Sequence, residues 1–99
     1  MLEERLGDSM DSIMTDEIAE LSGYRLLKNI PVLILPDNGH YIACDIGIGL
    51  PLNGIGDTPD GARDHLRDII IEHLQLAEKP AAPRYARDTA HRLNLYVQN

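Results

Sequence analysis

Tryptophan and phenylalanine are absent from the 99 residues, and four tyrosines are the only aromatic side chains. A core built from this chain therefore consists of Leu, Ile, Val and Ala, without the ring areas that anchor many small cores. Cysteine is as scarce: Cys44 stands alone, which excludes an internal disulfide framework and leaves the Cys and His spacings of structural zinc sites unmet. Basic side chains are few as well. Nine Lys and Arg stand against sixteen Asp and Glu, a net charge of -7 at pH 7. Phosphate backbones need a basic footprint, so this balance argues against direct nucleic-acid binding and suits a basic protein partner. No apolar run approaches membrane-spanning length, and the opening Met-Leu-Glu-Glu-Arg lacks the cationic, apolar pattern of a secretion signal. A soluble protein of the reducing cytoplasm, without membrane contact, is expected.

What is present is ordinary globular composition, 43% hydrophobic and 25% charged, in a length that fits one small domain. A core of that size is marginal alone, and sharing a face in a homo-oligomer is a common remedy. Charge is spread unevenly. Residues 1–24 hold seven acids against Arg5, whereas residues 79–99 hold Lys79, Arg84, Arg87 and Arg92 against Asp88.

Between Asp11 and Leu21, Ile13, Met14, Ile18 and Leu21 recur at helical spacing, with Asp11 or Ser12 available as cap and Gly23 as terminator. The pattern predicts a short amphipathic helix, serving either as a docking or dimerisation element or as a lid on a sheet. Next, Ile30 to Leu35 is a near-continuous apolar strand, Asp37-Asn38-Gly39 is turn chemistry, and Tyr41 to Ile46 is a second strand. Pro31 and Pro36 donate no backbone hydrogen bond and are expected to bracket the first strand.

The glycine-rich stretch from Gly47 to Gly56 has the look of a phosphate cradle. It lacks both the lysine of a P-loop and the G-x-G-x-x-G spacing with a following acidic ribose ligand. It reads instead as a loop into a short third strand at about residues 51–55, with glycines that permit bulges. Gly56-Asp57-Thr58-Pro59 then opens a helix: Thr58 caps it, Pro59 fits its first position, and Asp57 and Asp60 complement the helix dipole. The helix runs to about Glu78. Ala62, Leu66, Ile69, Ile70, His73, Leu74 and Ala77 form its core face, and Arg63, Asp64, Arg67, Asp68 and Glu72 a solvated one. Pro80 and Pro83 make residues 79–91 a linker, and Arg92 to Val97 alternates as a last strand with Leu93, Leu95 and Val97 on one side.

Candidates for chemistry are weak. His65 and His73 lie eight apart, too far to chelate as neighbours on one helix face, and His40 and His91 have no companions at metal-ligand spacing. Cys44 reads as an inert, buried strand residue. Ser9, Ser12 and Ser22 lack nucleophile-elbow context. No catalytic, cofactor-binding or metal-binding residue is assigned.

The order hairpin, short strand, threonine-capped helix, linker and last strand resembles the HicB-type antitoxins. Asn38-Gly39-His40-Tyr41 with Ile42 and Cys44 carries the likeness, as does Gly56-Asp57-Thr58-Pro59 with Ala62 and the helix to Leu74. It covers roughly residues 30–78, without the family's C-terminal DNA-binding module. The family's Pro-Asp-Leu-Pro-Gly turn is replaced by Asp45-Ile46-Gly47-Ile48-Gly49, and Gly61 stands where an acid is usual.

The resemblance implies a partial RNase-H-like fold and a non-enzymatic role in a toxin–antitoxin system, as an oligomer that sequesters a small, basic, RNA-cleaving toxin of the HicA type. RNase-H-like topology alone brings no nuclease chemistry. The expectation is thus an α+β domain, residues 25–99, with an antiparallel sheet of three to four strands in the order β-β-β-α-β packed on one long helix. Residues 1–24 would form an acidic helical extension. Partner-binding candidates are Asp45, Asp57, Asp60, Ile13 and Ile18. The alternative is a stand-alone oligomeric scaffold or regulatory domain with a different protein partner.

Overall fold

A computed structural model of the chain describes residues 13–98. The elements are β1 (Met14–Ile18), β2 (Arg25–Leu26), β3 (Ile30–Asp37), β4 (His40–Asp45), β5 (Gly54–Gly56), α1 (Pro59–Ala77), α2 (Arg84–Arg92) and β6 (Val97–Gln98). This is an α+β fold. An antiparallel sheet in the order β1-β3-β4-β5 carries α1 across one face, α2 packs on α1, and β2 pairs with β6 in a separate ribbon.

The hairpin forms where its turn residues dictate. Asn38 and Gly39 have φ of 50° and 88°, the two left-handed positions of a tight two-residue turn, so Asp37 faces His40 across it. That register turns Val32, Ile34 and Ala43 to the helix side, where all three are buried with Ile18 and Ile30. Opposite them stand Ala62, Leu66, Ile70 and Leu74, one residue per turn of α1. The Thr58 hydroxyl accepts the Gly61 amide at 3.0 Å and Pro59 occupies the first turn, the expected start. The helix ends at Ala77 with Glu78 as its C-cap.

Gly54 and Gly56 have a different purpose from the expected bulge. A β-carbon on Gly54 would collide with the backbone of Ala62 and Leu66, and one on Gly56 with that of Gly61 and Ala62. The helix lies directly on β5, and only glycine admits that approach.

Four expectations are corrected. The helix expected over residues 11–21 is a strand over Met14–Ile18, paired with β3 from Met14↔Ile34 to Ile18↔Ile30; residues 11 and 12 lie outside the described residues. Part of the expected acidic extension is thus an integral edge strand of the domain. Second, Pro31 and Pro36 sit inside β3. Pro31 occupies its last position toward β4, where its carbonyl still accepts the Ile46 amide at 2.9 Å. Pro36 turns its nitrogen toward the β1 side, beyond the last described pair Met14↔Ile34. The donor missing at Pro31 falls where the β3–β4 ladder ends, and the one missing at Pro36 faces away from β4.

Third, the expected linker over residues 79–91 contains a second helix, α2, which buries Ala86 and Thr89. Finally, the last strand shrinks to Val97–Gln98 and pairs with β2 rather than with the main sheet. Leu93 caps α2 and is buried, Val97 is buried, and Leu95 lies 69% exposed between them, so the three do not share a face.

Candidate functional site

The outer surface of α1 is built by the same periodicity that buries its inner stripe. Asp60, Asp64, Asp68 and Glu72 follow one another at four-residue intervals, offset by two positions from Ala62, Leu66, Ile70 and Leu74. Two residues turn a helix by about 200°, so this acidic ridge stands opposite the core. One flank carries Arg63 and Arg67. Arg63 reaches Asp16 on β1 at 2.9 Å, Asp64 at 3.1 Å and Asp60 at 3.5 Å, and Arg67 reaches Asp64 at 3.3 Å and Asp68 at 3.2 Å. Partial burial works against the Arg63 charge, but the hydrogen bonds it donates to Asp64 and Asp16 outweigh it and hold the guanidinium above its ordinary pKa. These half-exposed pairs register β1 against α1 more than they stabilise the fold, since surface ion pairs contribute at most about 1 kcal/mol each.

Between this flank and the chain leaving β1 runs a shallow groove. One stretch is lined by Glu17, Glu20, Arg63, Asp64 and Arg67, and the next by Glu20, Ser22, Tyr24, Arg67 and Asp68. Acids outnumber bases along it. Glu20, Asp57 and Glu72 form no ion pair among the described residues, which leaves their charge available to a partner. At the far end Tyr24 donates its phenolic hydrogen to Glu78, the cap of α1. Burial, then the hydrogen bond to Glu78 and its charge, push the Tyr24 pKa up to about 12.

The five sequence-predicted partner residues are not brought together. Asp60 is exposed as the first residue of the ridge, and Asp57 is exposed just before α1. Ile13 is 53% exposed on the opposite layer, and Ile18 is buried in the core. Asp45 is engaged internally: its carboxylate accepts the amides of Ile48, Gly49 and Leu50, each at 2.9 Å. Gly47 and Gly49, at φ of 83° and 84°, wrap the loop around it. Consecutive amides converging on one point form an anion nest, and here the protein's own side chain fills it. The phosphate-cradle look of this stretch has that physical origin.

Three of the four histidines serve a strand edge, a helix contact and a turn, and His91 is exposed in the last turn of α2. His65 accepts the Ile55 amide on Nδ1 at 2.8 Å, covering a donor on the outer edge of β5. His73 meets the Thr89 hydroxyl at 3.1 Å; that hydroxyl already donates to the Tyr85 carbonyl, so His73 Nδ1 is the donor. The Tyr85 ring stands edge-on to His73 at 5.1 Å between centroids. The one polar residue on the α1 core face is therefore its contact to α2. His40 lies 3.6 Å from Asp37 across the hairpin turn. Among the described residues no group of three His, Cys, Asp or Glu is placed to share a metal ion.

Cys44 is half-buried rather than fully buried, because it points away from the helix; burial and then the neighbouring Asp45 charge push its thiol pKa up. Among the described residues, no helix is long and apolar enough to cross a membrane.

Sequence reasoning missed two features. Glu17 and Glu20 line the groove only because β1 is a strand lying beside α1. The far face of the sheet was also missed, although the unbroken apolar run of β3 is the pattern of a strand covered on both sides. The chain matches no protein-family model, and no curated protein or solved structure is detectably similar to it.

Proposed function

We propose that the protein is a non-catalytic, HicB-like binding module that sequesters a small, basic protein such as an RNA-cleaving toxin. The observation that carries this reading is the acidic ridge Asp60–Asp64–Asp68–Glu72, continued by Glu20 in the groove beside it. A surface of one sign steers an oppositely charged partner and repels nucleic acid. Asp57 extends it just before α1, where it and Asp60 also complement the helix dipole.

The test is co-expression with a small, basic, toxin-like product from a neighbouring reading frame, followed by titration at low and high salt. Association should slow steeply as salt rises. The charge-reversing pair Asp64→Lys with Asp68→Lys should weaken binding at least about tenfold while leaving the fold intact, because the ion pairs it removes are half-exposed and contribute little to stability. Salt-independent binding, or full affinity in the reversed variant, overturns the assignment. An oligomeric scaffold is the second reading, favoured by the apolar face of the sheet that neither helix covers.

A further inference from the structure

The two edges of the main sheet are finished differently. The Pro31 carbonyl accepts the Ile46 amide, which turns the odd-numbered residues of β3 toward β4 and Ile30, Val32 and Ile34 toward β1. Their partners Ile18, Asp16 and Met14 therefore turn their backbone groups to β3. Thr15 and Glu17 point theirs outward. Asp16 Oδ1 accepts the Glu17 amide at 2.7 Å, while Oδ2 holds Arg63. The Thr15 amide and the carbonyls of Thr15 and Glu17 have no hydrogen-bond partner among the described residues. At the opposite edge the same alternation turns only Ile55 outward from the three-residue β5, and His65 covers its amide. Of the two edges, β1 is the open one.

We propose that the outer edge of β1 takes an extended segment of the basic partner as a further strand of the four-stranded sheet. The inference rests on the basic-partner reading and names how that partner is held. An antiparallel segment exchanges two hydrogen bonds with Thr15 and donates a third to the Glu17 carbonyl, leaving the Asp16 cap in place. Charge selects the occupant. β1 carries Asp16 and Glu17 and no base, so pairing with a second β1 about its centre would set Asp16 against Asp16. The groove beside the end of β1 adds Glu20, Asp64 and Asp68, and its two cations, Arg63 and Arg67, are already held by carboxylates. Alternate residues of an added strand point to opposite sides of the sheet. Opposite Asp16, on the helix side, a basic side chain fits; opposite Thr15, an apolar one continues the row of Thr15, Leu33 and Cys44. The occupant is thus a segment that alternates basic and apolar residues.

The probe is a blocked peptide of about nine residues alternating lysine with valine, titrated into the isotope-labelled intact chain. Amide shifts should centre on Thr15 and Glu17, and hydrogen exchange at the Thr15 amide should slow at least about tenfold at saturation. A peptide of the same composition, with its lysines and valines in two blocks, should bind at least about tenfold more weakly. Thr15→Pro removes a donor that faces away from β3, so it should weaken the alternating peptide by a similar factor with an unchanged circular dichroism spectrum. The exchange measurement uses the unmodified sequence, so it decides the matter even where Thr15→Pro loosens β1. Equal binding of the two peptides overturns strand addition, and leaves the basic-partner reading to stand or fall on its own salt titration. Full affinity in Thr15→Pro, unchanged exchange at Thr15, or no binding of either peptide overturns it as well.

Discussion

The outer surface of α1 and the far face of the sheet enclose the same thin core, yet they solve the problem of facing water in opposite ways. On α1 every fourth residue from Asp60 to Glu72 is acidic, and Arg63 and Arg67 offset only part of that charge. On the sheet, Leu33, Leu35, Ile42 and Ile55 occupy the positions where a solvated antiparallel sheet would alternate to polar residues. The helix surface turns charge outward; the sheet surface turns half-buried apolar side chains outward. A small domain with no Phe or Trp has little core to spare, so covering its second face would add the burial that its size denies it.

Several substitutions would sharpen or break this contrast. The largest effect belongs at Gly54, where the two layers come closest. Gly54→Ala would drive a methyl group into the α1 backbone and should cost upwards of about 3 kcal/mol in urea unfolding, disrupting both surfaces together. Asp45→Ala should cost about 2 kcal/mol by removing an ionised acceptor from three amides. The emptied nest would open beside β4 without altering either surface's charge pattern. Thr58→Ala removes the α1 cap and should cost about 1 kcal/mol, read in the same unfolding series.

The smallest effect is confined to alkaline pH. Tyr24 has its folded pKa raised from 10.0 to about 12, so its contribution is fully present below pH 10 and fades as pH climbs toward 12. Tyr24→Phe should flatten that limb of a thermal-stability profile. An alkaline limb unchanged by the substitution would mean that the Tyr24–Glu78 contact does not couple the groove to the helix cap.

Much of this architecture could be read in the chain because local chemistry and tertiary environment agree. Asn38-Gly39 demands a tight hairpin, Thr58-Pro59 demands a helix start, and the spacing of Ala62, Leu66, Ile70 and Leu74 demands one buried face. Where they disagree, local reading fails. In β1, Met14, Asp16 and Ile18 alternate with Thr15 and Glu17, but acids are poor strand formers and the apolar spacing fits a helix equally well. Pairing with β3 and the Asp16–Arg63 contact across the layers decide it. In α2 the stripe is Ala86, Thr89 and Leu93, side chains too small or too polar to register against the prolines before them. The groove was hidden for the same reason, because Glu17 and Glu20 approach α1 only once β1 is in the sheet. The acids of α1 were legible individually, but their alignment opposite the core needed the helix to be in place.

Titration of the chain with a small, basic, toxin-like partner at low and high salt, alongside Ile55→Glu and the Asp64→Lys/Asp68→Lys pair, tests the division between the two layers most directly. Binding that weakens at high salt, falls with charge reversal on α1 and is unchanged by Ile55→Glu is the predicted result. Binding indifferent to salt and to the helix substitutions, but abolished by Ile55→Glu, would contradict it.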